Sequence, residues 1–140
     1  MIAYFDASAF VKLILDEPGS EHARDLFTTA TLIQSSWLLI PEAHAAHARA
    51  RRDRRLSPAG AARALDVLGG LLTEVEALEL DEGLAERAGK LATTLGLRGS
   101  DAVHLASYER VESEDSVLVA ADGALANAAL SLGHAVAISA

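Results

Sequence analysis

Residues 1–13 read MIAYFDASAFVKL, and residues 117–132 read VLVAADGALANAALSL. Both segments begin with a short apolar run, meet a lone acid (Asp6, Asp122) and pass at once into residues suited to a helix. A strand that ends on an acid and leads straight into a helix is the start of a βαβ unit. In an open parallel sheet the carboxyl-end rim of the strands is where ligands bind. The two acids therefore have addresses that carry function as well as fold.

Working outward, the remaining segments repeat the alternation. Ile2–Phe5 is read as a strand and Ala7–Asp16 as a helix stopped by Pro18 and Gly19. Ser20 is a good N-cap for a helix through Thr29, and Thr31–Ser35 is β-rich. Ser36 caps a long helix to about Arg55, in which Pro41 would remove one early hydrogen bond. Ser57-Pro58 opens another helix, with Ser at the cap and Pro in the first turn. Val75–Leu80 is a strand, and Asp81 caps a helix ended by Gly96. A helix over Ser100–Val111, a strand at Val117–Ala121, a helix over Ala124–Leu132 and a strand at Ala135–Ser139 complete the pattern. The expected fold is α/β: a three-layer α/β/α sandwich with a mainly parallel central sheet, residues 1–140 forming a single domain.

Composition narrows the class. The 140 residues match one ordinary domain, and 51% hydrophobic content is ample for one core. No apolar run approaches the ~20 residues that span a bilayer, and the N-terminus lacks a basic n-region, so a cytoplasmic protein with no membrane partner is expected. With no cysteine, disulfides, thiolate zinc sites and a Cys nucleophile are excluded. The net charge of −8 argues against a nucleic-acid partner only weakly, because two divalent ions among four acidic ligands would halve it. Five of the twelve bases also cluster at Arg49, Arg51, Arg52, Arg54 and Arg55. Aromatics are too scarce for a base-stacking platform to be evident.

Four acids are candidates for chemistry: Asp6, Glu42, Asp101 and Asp122. Singly, each has a plain structural reading. Asp6 and Asp122 suit helix caps, Asp101 suits a first helical turn, and Glu42 suits a solvated helix face. Their surroundings shift the balance. Glu42 lies in SWLLIPEAHAAHA and Asp101 opens DAVHLA, both lone acids in apolar stretches. A carboxylate carried toward a core is costly unless a cation meets it. Four such acids suggest one shared cation site, and hard oxygen donors without thiols favour Mg2+ or Mn2+ over zinc.

YFDASAFVKL, then Ser36 to Glu42, then LRGSDAVHLA, then LVAADGALANAALSLG resemble, in that order, the PIN-domain family and specifically its VapC-type toxins. The resemblance covers nearly the whole chain. It implies a PIN-like fold and a Mg2+- or Mn2+-dependent endoribonuclease with Asp6, Glu42, Asp101 and Asp122 as catalytic and metal-binding acids. It also implies an RNA substrate, a homodimer and a cognate antitoxin that neutralises it. Members often carry Thr or Ser two residues before the last acid and a further acid nearby. Here Ala120 and Ala124 stand in those places, which weakens the case for a second metal but not for the first.

Several other side chains are candidates for supporting roles. Ser8 completes the family's Asp-x-Ser pattern and suits support of a ligand or a phosphate contact on one reading, a local helix-start bond on the other. Arg49, two turns after Glu42, returns to nearly the same helix face and suits an RNA backbone, as does Arg98 beside Asp101. A solvated helix end is the plain alternative for the whole arginine run. Lys12 reads as a snorkelling surface lysine, and His104 as a structural histidine or an orienter of Asp101. His44 and His47 are three apart, a spacing open to shared metal contact. Phosphotransfer on a strand-end aspartate fits poorly: position 8 is Ser rather than Asp, and no glycine-rich phosphate loop follows any strand. The remaining alternative is a PIN-like protein that binds RNA or a partner without cutting.

Overall fold

The computed structural model describes residues 1–121 and 123–140; the candidate Asp122 lies outside the described residues. Five strands pair in parallel in the order β3-β2-β1-β4-β5. They are β1 (Ile2–Phe5), β2 (Leu32–Ser36), β3 (Val75–Leu78), β4 (Ser116–Ala120) and β5 (Val136–Ile138). The helices are α1 (Ala7–Phe10), α2 (Ser20–Thr29), α3 (Leu39–Arg52), α4 (Pro58–Leu72), α5 (Glu82–Leu95), α6 (Gly99–Val111) and α7 (Ala124–Ser131). Among the described residues no helix is long and apolar enough to cross a membrane.

The two-residue period of the strands divides the core between two faces. In β1, Ala3 and Phe5 pack with residues of α1–α4, whereas Tyr4 points into the opposite cluster with α5–α7. In β4, Val119 joins the first cluster and Leu118 the second. The expected three layers follow.

Central β1 is the hinge of the topology. The chain runs from β1 outward through β2 to β3, then returns across to β4 and on to β5. The strand order therefore reverses between β1 and β4, where an open α/β sheet leaves its ligand crevice. The register Ile2↔Ser116 to Phe5↔Val119 sets those two strand ends level. The Asp6 N–H continues the ladder, donating to Val119 O at 3.0 Å.

Local chemistry departs from the sequence reading in three places. The first helix is shorter: after Phe10 it tightens into a 3-10 turn over Val11–Leu13. There the Lys12 Nζ, nearly buried, donates to Pro18 O at 2.6 Å and pairs with Glu17 at 3.3 Å, drawing the chain back on itself. Lys12 is thus an internal brace and not a surface lysine.

Ser20 is the first residue of α2, not its cap; Gly19, at φ +90°, holds the cap position. The Ser20 hydroxyl donates to Leu15 O and accepts from Glu17 N–H, organising the loop instead. Finally, α3 begins at Leu39, because Ser36 is the last residue of β2 and its Oγ accepts from Leu38 N–H. Pro41 then sits in the first turn, where its missing N–H removes no intrahelical bond. The bend expected there has no cause, and Glu42 N–H bonds normally to Leu38 O. Ser57 and Asp81 cap α4 and α5 as expected, accepting from Gly60 and Leu84 N–H.

Candidate active site

The site forms at the carboxyl ends of β1 and β4. Asp6 leaves β1 in extended conformation and caps α1, its Oδ1 accepting from Ala9 N–H at 2.9 Å. Ser8 Oγ lies 2.8 and 2.7 Å from the two carboxylate oxygens and accepts from Ala121 N–H at 3.1 Å. This hydroxyl pins Asp6 to the end of β4 and has both its roles committed inside the protein, which suits support of the Asp6 carboxylate rather than a phosphate contact.

Asp6 is only 4% exposed. Burial pushes its carboxyl above the ordinary aspartate value, opposed by the Ala9 N–H, the Ser8 hydroxyl and the neighbouring His104; the negative charge of Asp101 raises it further. A capped helix start alone does not need so deeply desolvated an acid.

Asp101 comes from the first turn of α6. With Asp6, Ser8, Arg98, Ala121, Gly123, Ala124 and Leu125 it lines a small open cleft of about 120 Å³. Arg98 Nε approaches Asp101 Oδ2 at 3.4 Å, its side chain mostly in solvent at the cleft mouth. Arg98 is therefore a cation beside the acids and accessible to an anion.

Glu42 is not among the residues lining that cleft. Its Oε1 is 2.6 Å from Nε2 of His104, whose Nδ1 lies 2.9 Å from the Tyr4 hydroxyl. His104 is thus linked to Glu42 and not to Asp101, which corrects the alternative in which it orients Asp101. Burial holds the Tyr4 hydroxyl well above the usual tyrosine range, helped by the charges of Asp6 and Glu42. Tyr4 went unnoticed in the sequence because a strand tyrosine reads as core; only its neighbours reveal a polar role.

The remaining candidates are dispersed. Arg49 is exposed and pairs with Asp53 at 3.7 Å, while Arg55 reaches Glu17 at 3.0 Å. His44 Nδ1 meets Ile40 O, and His47 Nε2 meets Ala61 O across to α4, so the two histidines serve separate partners.

The sequence as a whole aligns with known proteins. The family model described as PIN domain matches residues 3–130. The chain belongs to the PIN-domain family. The PIN domain here is similar to ribonuclease VapC49 of Mycobacterium tuberculosis, 38% identical over 136 residues, which span 97% of this chain and 94% of that protein. Its fold is similar to the crystal structure of PAE2754 from Pyrobaculum aerophilum, with a TM-score of 0.67 and 25% identity over 91% of this chain and 79% of that one. A toxin–antitoxin complex from Klebsiella pneumoniae shares the fold at a TM-score of 0.60 and 16% identity, covering 86% of both chains.

The residues of this PIN domain fit a hard divalent cation. Among the described residues no three His, Asp or Glu side chains gather closely enough to enclose an ion. Mg2+, however, keeps several waters and is commonly bound through one or two carboxylates together with substrate phosphates. Asp6 and Asp101 supply such a pair on one cleft, with only oxygen donors and no thiol nearby.

Proposed function

We propose that this PIN domain is a Mg2+- or Mn2+-dependent endoribonuclease, the toxin of a toxin–antitoxin pair, acting as a homodimer on RNA. The observation that carries the reading is Asp6: a nearly fully buried carboxylate, fixed by Ala9 N–H and Ser8, on the same small cleft as Asp101 at the sheet's switch point. The similarity to a protein named as a VapC ribonuclease supports the reaction, and the fold shared with a toxin–antitoxin complex supports the antitoxin partner.

A divalent cation supplies, when bound, the positive charge that a phosphodiester needs before water can attack it. The protein's part is to hold and orient. Asp6 and Asp101 are the ligands, with Asp122 and Glu42 completing the acidic set, Glu42 in part through water. Ser8 keeps Asp6 in one rotamer. Arg98 at the mouth neutralises a substrate phosphate, and Arg49 is a second contact to the RNA backbone farther along α3.

Cleavage of RNA by the purified chain, with Mn2+ and with excess EDTA, tests the reading. Asp6→Asn and Asp101→Asn are each expected to lower the rate by ~10²-fold or more, roughly 3 kcal/mol in the barrier. Undiminished cleavage in EDTA, or in both variants, overturns it. RNA binding without cleavage under every metal condition would turn the reading into the non-cutting alternative.

A further inference from the structure

His104 and His47 are both buried, but they are spent differently. His47 does what a structural histidine usually does: its Nε2 meets a backbone carbonyl, Ala61 O, and ties two helices together. His104 gives both ring nitrogens to side chains from two other elements, Tyr4 of β1 and Glu42 of α3, while its own side chain is 2% exposed. Glu42, by contrast, is one-quarter exposed, so one end of this chain is buried and the other reaches solvent.

The donors and acceptors allow one assignment in the neutral ring. An ionised carboxylate only accepts, so Nε2 must carry the proton toward Glu42. Nδ1 then offers a lone pair, and the phenol of Tyr4 donates to it. The direction of every bond is fixed from Tyr4 outward to Oε1 of Glu42, and among the described residues Oε2 meets no protein partner.

The same elements supply the cleft. β1 carries Tyr4 and ends on Asp6, and α6 carries His104 one turn beyond Asp101, on the same helix side. Glu42 comes from the opposite layer.

We infer that His104 is a positioning residue for the acidic site: braced by Tyr4, it presents Nε2–H to Glu42 and fixes that carboxylate, contributed by α3, relative to Asp6 and Asp101. The inference rests on the metal-dependent reading above and deepens it. Glu42, on α3, is thereby tied to α6 through His104 and, behind it, to Tyr4 of β1. Partners of this kind commonly set ligand orientation and change metal affinity when removed.

Mn2+ affinity of the metal-free, full-length chain is the measurement, with unbound Mn2+ followed by electron paramagnetic resonance. His104→Phe, which removes the donor, is expected to weaken binding about 10–100-fold. His104→Gln keeps an N–H toward Glu42 and an oxygen toward Tyr4, and should recover most of that loss. Tyr4→Phe should weaken binding less than His104→Phe and have no further effect in the double variant, because Tyr4 acts only through His104. A histidine that merely fills the core would change the melting temperature and leave the affinity of the folded protein untouched.

Nitrogen NMR of the metal-free protein gives a readout independent of binding and of the Phe variant's folding. The ring of His104 should hold the Nε2–H tautomer in the wild type and in Tyr4→Phe, and lose that preference in Glu42→Ala, where the acceptor that fixes it is gone. A wild-type ring in the other tautomer overturns the inference, as does a folded His104→Phe protein with wild-type Mn2+ affinity. Asp6→Asn separates the two levels. If it binds Mn2+ as tightly as the wild type, the metal reading fails and carries the inference with it. If it loses binding while His104→Phe does not, the inference alone fails.

Discussion

At the scale of single residues, Asp6 holds the main tension of the site. Its N-cap bond and the Ser8 clamp favour the ionised form, yet burial and the neighbouring Asp101 outweigh them and raise its folded-state pKa. An acid whose pKa is raised on folding binds its proton more tightly in the folded state. Its stabilising contribution is complete below the unfolded value and is lost as pH rises through the folded one. Above its unfolded pKa, Asp6 therefore costs the metal-free protein stability, more so as pH rises toward neutrality. Asn caps a helix about as well as Asp and carries no charge. Asp6→Asn without metal should melt at or above the wild type near pH 7, and this advantage should shrink toward acid pH. With Mn2+ the order should reverse, since binding to the folded state alone stabilises the wild type. Melting curves at two pH values, with EDTA and with Mn2+, check both statements; an Asp6→Asn protein that melts well below wild type in EDTA would mean the ionised carboxylate is a net stabiliser.

At the scale of elements, the loop before α2 and the end of α3 make separate predictions. Gly19 combines a left-handed φ of +90° with a close approach of the C-terminal segment: a Cβ there would lie 2.3 Å from Ser139 O. Gly19→Ala adds that overlap to a backbone penalty of roughly 1 kcal/mol, so the destabilisation should exceed ~1 kcal/mol, read as a lower urea midpoint. A midpoint equal to wild type would mean that the C-terminal residues do not rest on Gly19.

On α3, Arg49 shares a side with Glu42, whereas Arg54 lies past the helix end at φ +58°. Arg49→Glu should weaken RNA binding more than Arg54→Glu. Both losses should shrink at higher salt, because phosphate contacts act through counterion release. Binding titrations at two salt concentrations decide; equal losses would make the arginine run a diffuse patch.

For the whole molecule, the acidic cleft lies in a chain already at net charge −8. Without metal, such a site attracts a cation, and an arginine fork can meet carboxylates with two parallel bonds. The antitoxin is therefore expected to present a basic segment to Asp6 and Asp101. Reversing the charge of that segment should weaken the complex and restore cleavage. A complex structure in which the antitoxin leaves both acids open to solvent would refute this form of inhibition.

The sequence by itself determined the order of the elements and the layered, parallel architecture. Those depend on local periodicity, and Ile2–Phe5 and Val117–Ala121 are apolar runs each followed directly by an acid. It also singled out four acids, Asp6 and Asp122 by their places at strand ends and Glu42 and Asp101 by their apolar surroundings, of which Asp6 and Asp101 line one cleft. Element ends were less legible. Whether Ser20 caps or braces, and whether Ser36 ends a strand or starts a helix, turns on which backbone groups reach its hydroxyl after folding. Tertiary structure alone decided the polar partners. Ser8 is committed because Ala121, 113 residues later, donates to it. His104 meets Glu42 across 62 residues and Tyr4 across 100. Spacing along a helix suggests the neighbour three residues away; only packing the layers on a shared sheet brings together side chains so far apart in the chain.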